Sequence, residues 1–165
     1  MRGLTLGVIA LGALAGAASA EGCFGPGTPL FHCTLNGGTK AVDVCLQDDV
    51  AYYRFGPAGG AADILLARRA GAVDMRPWNG VGRSIFETAT FSNGGYDYTV
   101  HYAIDRLTQA HEVTGGVIVT RGGDELADLS CDAGAVTVSD IYPLFEAKEA
   151  AGQCWNREMF RWGEC

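Results

Sequence analysis

Ile85-Phe86-Glu87-Thr88-Ala89-Thr90-Phe91, then Ser92-Asn93-Gly94-Gly95, then Tyr96-Asp97-Tyr98-Thr99-Val100-His101-Tyr102-Ala103-Ile104-Asp105 is the stretch whose reading decides the fold. Its second half alternates strictly. Tyr96, Tyr98, Val100, Tyr102 and Ile104 fall on one face, and Asp97, Thr99, His101, Ala103 and Asp105 on the other. A period of two in aromatic and β-branched residues is the pattern of a strand with one buried face. Asn93-Gly94-Gly95 supplies the positive-φ positions that a tight hairpin needs. The stretch predicts the central hairpin of an antiparallel β domain.

Working outward toward the N-terminus, residues 29–35 read as a strand ended by Asn36-Gly37-Gly38-Thr39. Residues 40–46 follow, with Val42, Val44 and Leu46 on one face and Asp43 on the other. Asp48-Asp49 makes a turn into a strand at 50–55, and Gly56-Pro57-Ala58-Gly59-Gly60 breaks it. Residues 63–68 predict a fourth strand, with a short helix as the rival because Ala and Leu fit either. A polar connection through Asp74, Pro77 and Gly80 leads back to the hairpin.

Toward the C-terminus, residues 106–114 read as a loop or a single helical turn, and 116–120 as a strand. Arg121-Gly122-Gly123-Asp124 turns into a partner strand at 125–131. About eight short strands joined mostly between sequence neighbours suit an antiparallel meander, closed into a small barrel or folded as a sandwich. No strand–helix alternation of the kind a parallel sheet needs is present. After Asp140 the composition changes. Residues 143–151 predict a helix, with Pro143 in its first turn, Asp140 as its cap and Gly152 as its stop. A cysteine-closed aromatic tail follows, from Cys154 to Cys165. The organisation expected is therefore a disulfide-stabilised β domain over 21–139 and a helix and tail over 140–165.

Residues 1–20 read as a signal peptide. Arg2 precedes an apolar run from Leu4 to Ala15, and Ala18-Ser19-Ala20 forms a small-x-small cleavage site. The run is too short and too rich in Gly and Ala for a stable transmembrane span. Acylation of Cys23 is the alternative, but Glu21-Gly22 makes a poor lipobox. The chain is expected to be periplasmic or secreted. Its net charge of −7 becomes −8 when Arg2, the one charged residue of 1–20, is removed. Such a chain has no electrostatic footprint for nucleic acid or anionic lipid, and leaves a cationic protein partner open.

All six cysteines lie beyond the cleavage site, which in an exported chain reads as three disulfides. No Cys or His pair has metal-ligand spacing, so neither a metal nor another cofactor is expected. Register guides the pairing. A loop over 36–39 sets Leu35 opposite Lys40 and Cys33 opposite Val42, which places Cys45 too far along and on the other face for a bond to Cys33. Cys23–Cys45, Cys33–Cys131 and Cys154–Cys165 are the expected bridges, the second on condition that the last strand closes back on the first.

The chemistry-bearing residues are isolated ones. His101 shares a strand face with Asp97, Thr99 and Asp105, which a solvated polar face also explains. No Gly-x-Ser-x-Gly, phosphate loop or dinucleotide fingerprint occurs. Two segments suit binding: Ser92-Asn93-Gly94-Gly95-Tyr96, and the tail with Trp155, Arg157, Phe160, Arg161 and Trp162. Trp and Arg are frequent interface anchors. The competing reading packs the tail rings onto an open end of the core as a plug.

Leu30-Phe31-His32-Cys33, Lys40-Ala41-Val42-Asp43-Val44-Cys45, Tyr52-Tyr53-Arg54-Phe55-Gly56, Gly80-Val81-Gly82-Arg83 and Asn93-Gly94-Gly95-Tyr96-Asp97-Tyr98 resemble a family of small uncharacterised proteins exported by Gram-negative bacteria. The likeness runs over about residues 30–131 and implies a periplasmic or secreted β protein. A weaker likeness is to the periplasmic and membrane-bound inhibitors of c-type lysozyme, compact β-barrels in which a Ser-Gly-x-x-Tyr segment enters the enzyme's cleft. Ser92-Asn93-Gly94-Gly95-Tyr96 keeps Ser, Gly and Tyr with the glycines placed differently. The function expected is a non-catalytic binding module, with inhibition of a secreted or host enzyme as its specific form. A small hydrolase using His101 with Asp97 or Asp105 is one alternative, and a structural envelope component held by the tail is another.

Overall fold

In the computed structural model, which describes residues 26–165, the hairpin forms where the alternation places it. In chain order the strands are β1 (Thr28–Leu35), β2 (Lys40–Gln47), β3 (Val50–Pro57), β4 (Ile64–Arg69), β5 (Asp74–Arg76), β6 (Ser84–Asn93), β7 (Tyr96–Asp105), β8 (Val113–Arg121), β9 (Asp124–Ser130) and β10 (Val136–Ser139). Helix α1 (Tyr142–Ala150) follows, then β11 (Gln153–Asn156) and β12 (Arg161–Glu164). At the tip between β6 and β7, Gly94 and Gly95 both take positive φ, and Asn93 pairs with Tyr96 across a two-residue turn.

The strands form two five-stranded antiparallel sheets, ordered β10-β1-β2-β3-β4 and β5-β6-β7-β8-β9, and a separate β11-β12 ribbon. No closed ring of strands is found among the described residues; β10 and β4 border one large sheet, β5 and β9 the other. Both sheets feed one apolar core, with Phe31, Val44 and Tyr53 from the first and Phe91, Val100 and Val117 from the second. Tyr53 bridges them, its ring 5.6 Å from Phe91 and 5.5 Å from Tyr98. A bulge between Pro29 and Phe31 lets the adjacent residues Leu30 and Phe31 both enter the core.

The chain passes from one sheet to the other between two consecutive residues. The Cys131 amide donates to Gly115 of β8, and the Asp132 amide to Thr34 of β1. The Cys33–Cys131 disulfide staples this crossing, with Cα atoms 5.9 Å apart. The pairing expected from register is present, but the strand that closes on β1 is β10 rather than 125–131. Cys154–Cys165 is also present. Cys45 is disulfide-bonded. Its expected partner Cys23, the signal segment 1–20 and the question of Cys23 acylation lie outside the described residues. Cys45 sits opposite Pro29, at the beginning of β1, as the register argument requires.

Four strands exceed the sequence expectation: β5, β10, β11 and β12. Each has three or four residues, below the length at which a period of two separates from chance. The cap of α1 is corrected as well. No side chain caps it; the Ile141 amide is instead satisfied by the buried Glu87 carboxylate at 3.1 Å. Gly152 does end it, in a left-handed conformation. No helix among the described residues is long and apolar enough to cross a membrane.

Candidate functional site

Three elements meet beside α1. The loop after β5 carries Trp78, whose indole donates to Val81 at 3.0 Å, while Asn79 accepts the Val81 amide. Arg106 covers the Trp78 ring at 4.9 Å. The first turn of α1 presents Tyr142 and Phe145, three positions apart on one helix face and stacked at 5.2 Å. The β11–β12 ribbon presents Trp155 opposite Trp162. Asn156 accepts the amides of Glu158 and Met159, which shapes the turn of the ribbon.

Between these elements lies a groove of about 260 Å³ lined by Trp78, Tyr142, Phe145, Trp155, Phe160 and Arg157, among others. Tyr142 is 47% and Phe160 52% exposed. Phe160 has a φ of +49°. An aromatic residue with a β-carbon gains nothing local from that left-handed conformation and pays a steric cost, so strain is stored at the rim of the groove.

The tail is therefore divided between the two roles weighed for it. Trp155, Arg157 and Phe160 line the groove. Trp162 is the plug: it is half-buried, its indole donates to Met75 at 2.5 Å, and it packs on Phe145 at 4.9 Å. Arg161 is exposed on β12, outside the groove. Trp78, Tyr142 and Phe145 were not legible as site residues, because nothing in the local pattern links a loop at 78 to the tail.

The other proposed binding segment is a projecting turn apart from the groove. Ser92, Asn93, Gly94 and Gly95 are exposed and Tyr96 is half-buried. Its polar groups are engaged within the chain. The Ser92 hydroxyl donates to Asp97 at 2.5 Å, and Arg68 donates to the Ser92 carbonyl and the Asn93 side chain. Arg121 lies over the Tyr96 ring at 4.9 Å.

His101 is not held by either carboxylate of its own strand. Asp97 is bonded to Ser92 and Asp105 to Arg83. Residues four apart on an extended strand lie too far from one another to touch. The imidazole instead lies beside Gly116 of β8, in a depression of about 360 Å³ that also includes Asp128 and Ser130. Its buried Nε2 has no hydrogen-bond partner. Burial lowers its pKa below the ordinary value, and Asp128 acts in the opposite sense. No nucleophile among the described residues is hydrogen-bonded to Nε2.

A polar row that sequence reasoning missed crosses the first sheet. His32 on β1, Asp43 on β2 and Arg54 on β3 are cross-strand neighbours. Asp43 accepts from Arg54 at 2.8 Å and lies 2.6 Å from His32 Nδ1. Alternation placed Asp43 on the face opposite Val42 and Val44, and that face is covered at this point, since Asp43 is buried. Arg54 also donates to the Pro57 and Gly60 carbonyls. With both carboxylate oxygens bonded, the row braces three strands. No group of three His, Cys, Asp or Glu side chains among the described residues has metal-binding geometry.

Compared with protein-family models, curated proteins and solved structures, the chain matches none of them.

Proposed function

We propose that this chain is an exported, non-catalytic binding module: two sheets packed as a sandwich, with the aromatic groove as its contact surface for a protein partner. The observation that carries the reading is Phe160, which is held left-handed and half-exposed at the mouth of a ring-lined groove. A short chain gains no stability from that arrangement, and large exposed rings beside a cavity are what an interface anchor requires.

The partner suited to it is cationic. The net charge of the mature chain, −8, steers positive proteins toward the surface. This chain's own rings already receive cations, Arg106 on Trp78 and Lys148 on Trp162, at 4.9 and 4.8 Å. A Lys or Arg side chain of a partner would use the faces of Trp155 and Tyr142 in the same way. Inhibition of a secreted or host enzyme, in the manner of the c-type lysozyme inhibitors, is the specific form proposed. The hydrolase alternative keeps only the unpartnered His101 Nε2 in its favour.

The test is titration of c-type lysozyme with the mature protein at low ionic strength, following both heat of binding and residual activity. Saturable binding weakened at least about tenfold by Trp155→Ala with Phe160→Ala supports the reading. Undiminished lysozyme activity at large excess removes the lysozyme branch. Binding that is indifferent to the groove substitutions removes the groove as the contact surface.

A further inference from the structure

The disulfides of this chain differ in access. Cys33 is fully buried and Cys131 half-buried, and Cys45 is 3% exposed. Cys154 and Cys165 are both exposed. The bridge between these last two closes a sequence separation of 11 around the β11–β12 ribbon. That ribbon pairs with neither large sheet. Two side-chain hydrogen bonds tie it to the body, Gln153 to Gly71 at 3.2 Å and Trp162 to Met75 at 2.5 Å, and the Trp162 ring also packs on Phe145 and beneath Lys148. Its four cross-strand pairs are too few for a two-stranded ribbon to persist unaided in water.

The covalent loop and the groove coincide on one side. Trp155, Arg157 and Phe160 lie inside the loop that the bridge closes, whereas Trp78, Tyr142 and Phe145 lie outside it. One wall of the groove, including Phe160, thus lies within the covalent loop. The opposite wall belongs to α1 and the loop after β5.

We propose that Cys154–Cys165 is a thiol-exchange site, open to a dithiol while the Cys33–Cys131 bridge is shut, and that its reduction dismantles one wall of the groove. The second half of this inference rests on the groove as the binding surface; the first does not. In the exchange, one thiolate of the dithiol attacks an exposed sulfur, forming a mixed disulfide and breaking the Cys154–Cys165 bond. The other cysteine leaves as a thiolate and takes up a proton. The second thiolate of the dithiol then attacks the dithiol's own sulfur in the mixed disulfide and expels the remaining cysteine, which is protonated in turn. Two electrons pass from the dithiol, which ends as a disulfide, to Cys154 and Cys165, which end as thiols. Access selects this bridge, because attack requires an approach along the S–S axis that a buried pair denies. The core shared by the two sheets contains neither cysteine, so the domain outlasts the exchange.

The experiment treats the whole mature protein with graded dithiothreitol under native conditions, quenches with iodoacetamide and maps the alkylated peptides. Cys154 and Cys165 are expected to label at least about tenfold faster than Cys33 and Cys131, which wait for wider opening of the fold. Tryptophan emission should shift to longer wavelength in step with that labelling. Equal labelling of Cys33 or Cys131, or no labelling before denaturation, overturns the exchange site. Neither readout requires a ligand, so a failure of the binding reading leaves this result standing. The double variant Cys154→Ser, Cys165→Ser tests the second half: an emission spectrum identical to that of the oxidised protein overturns release of the wall, and a red-shifted one supports it.

Discussion

Lys148 Nζ lies 4.8 Å from the centre of the Trp162 ring, on the inner side of α1, where the side chain is 2% exposed. The ammonium points at three carbonyls of the turn that follows β4, Ala70 at 3.4, Gly71 at 3.3 and Val73 at 2.6 Å. One buried cation thus fastens the helix, the turn and the C-terminal ribbon together. Burial lowers its pKa from the ordinary lysine value, and Asp74 opposes that. Lys148→Met keeps the apolar stem and removes the donor to the Val73 carbonyl, while Ala70 still accepts from the Val73 amide and Gly71 from Gln153. We expect a loss of about 2–4 kcal/mol in urea unfolding. A loss below about 0.5 kcal/mol would mean that water satisfies the turn equally well.

Glu87 and Tyr102 form the second buried polar contact. The Tyr102 hydroxyl and the Ile141 amide donate to the same carboxylate oxygen, at 2.7 and 3.1 Å. An amide oxygen can accept both, so Glu87→Gln should fold normally, whereas Glu87→Ala should lose about 3 kcal/mol. Burial raises the Glu87 pKa, with the Tyr102 and Ile141 bonds opposing and Asp140 reinforcing. A carboxyl raised in the folded state stabilises most below its unfolded value, and that contribution is lost as pH climbs through the folded one. The melting temperature of Glu87→Gln should therefore gain on wild type between about pH 5 and about pH 8.

His101 runs the other way. Its pKa is lowered in the folded protein from the ordinary 6.5, so its contribution is full above that value and is lost as pH falls toward the folded one. His101→Phe keeps a ring beside Gly116 and removes the titration. Calorimetry should show wild type losing more stability than the variant between about pH 7.5 and about pH 5. Parallel curves would show that the imidazole protonates as readily folded as unfolded.

Two glycines separate two kinds of cost. A Cβ at Gly116 would overlap the Leu129 carbonyl oxygen and come within 3.2 Å of His101 Nε2. Gly116→Ala should cost about 2–4 kcal/mol by forcing β8 and β9 apart. Gly94, at φ +59° with nothing within 4 Å of its Cβ position, should cost only about 1 kcal/mol on replacement by Ala, the conformational penalty alone. Urea midpoints of the two variants give the comparison directly.

Local pattern carried the sequence reading a long way. Alternation through Tyr98, Val100 and Tyr102 marked β7, Asn93-Gly94-Gly95 fixed its turn, and loop length set Cys33 opposite Val42, excluding a Cys33–Cys45 bond. Each of those inferences needs only neighbours along the chain or one turn away. The same pattern did not show that Asp43 and His101 are covered, because a period of two tells which face a residue is on but not what covers that face.

The sequence by itself determined the strand-rich antiparallel class, the central hairpin and the C-terminal bridge, since these follow from side-chain period, turn chemistry and the short reach between Cys154 and Cys165. Only the tertiary structure decided that the meander divides into two sheets, that β10 rather than β9 closes on β1, and that Trp78 joins Tyr142 and Trp155 in one groove. Those features depend on contacts between residues far apart in the chain, whose stabilisation comes from burial against one another and leaves no local periodicity to read.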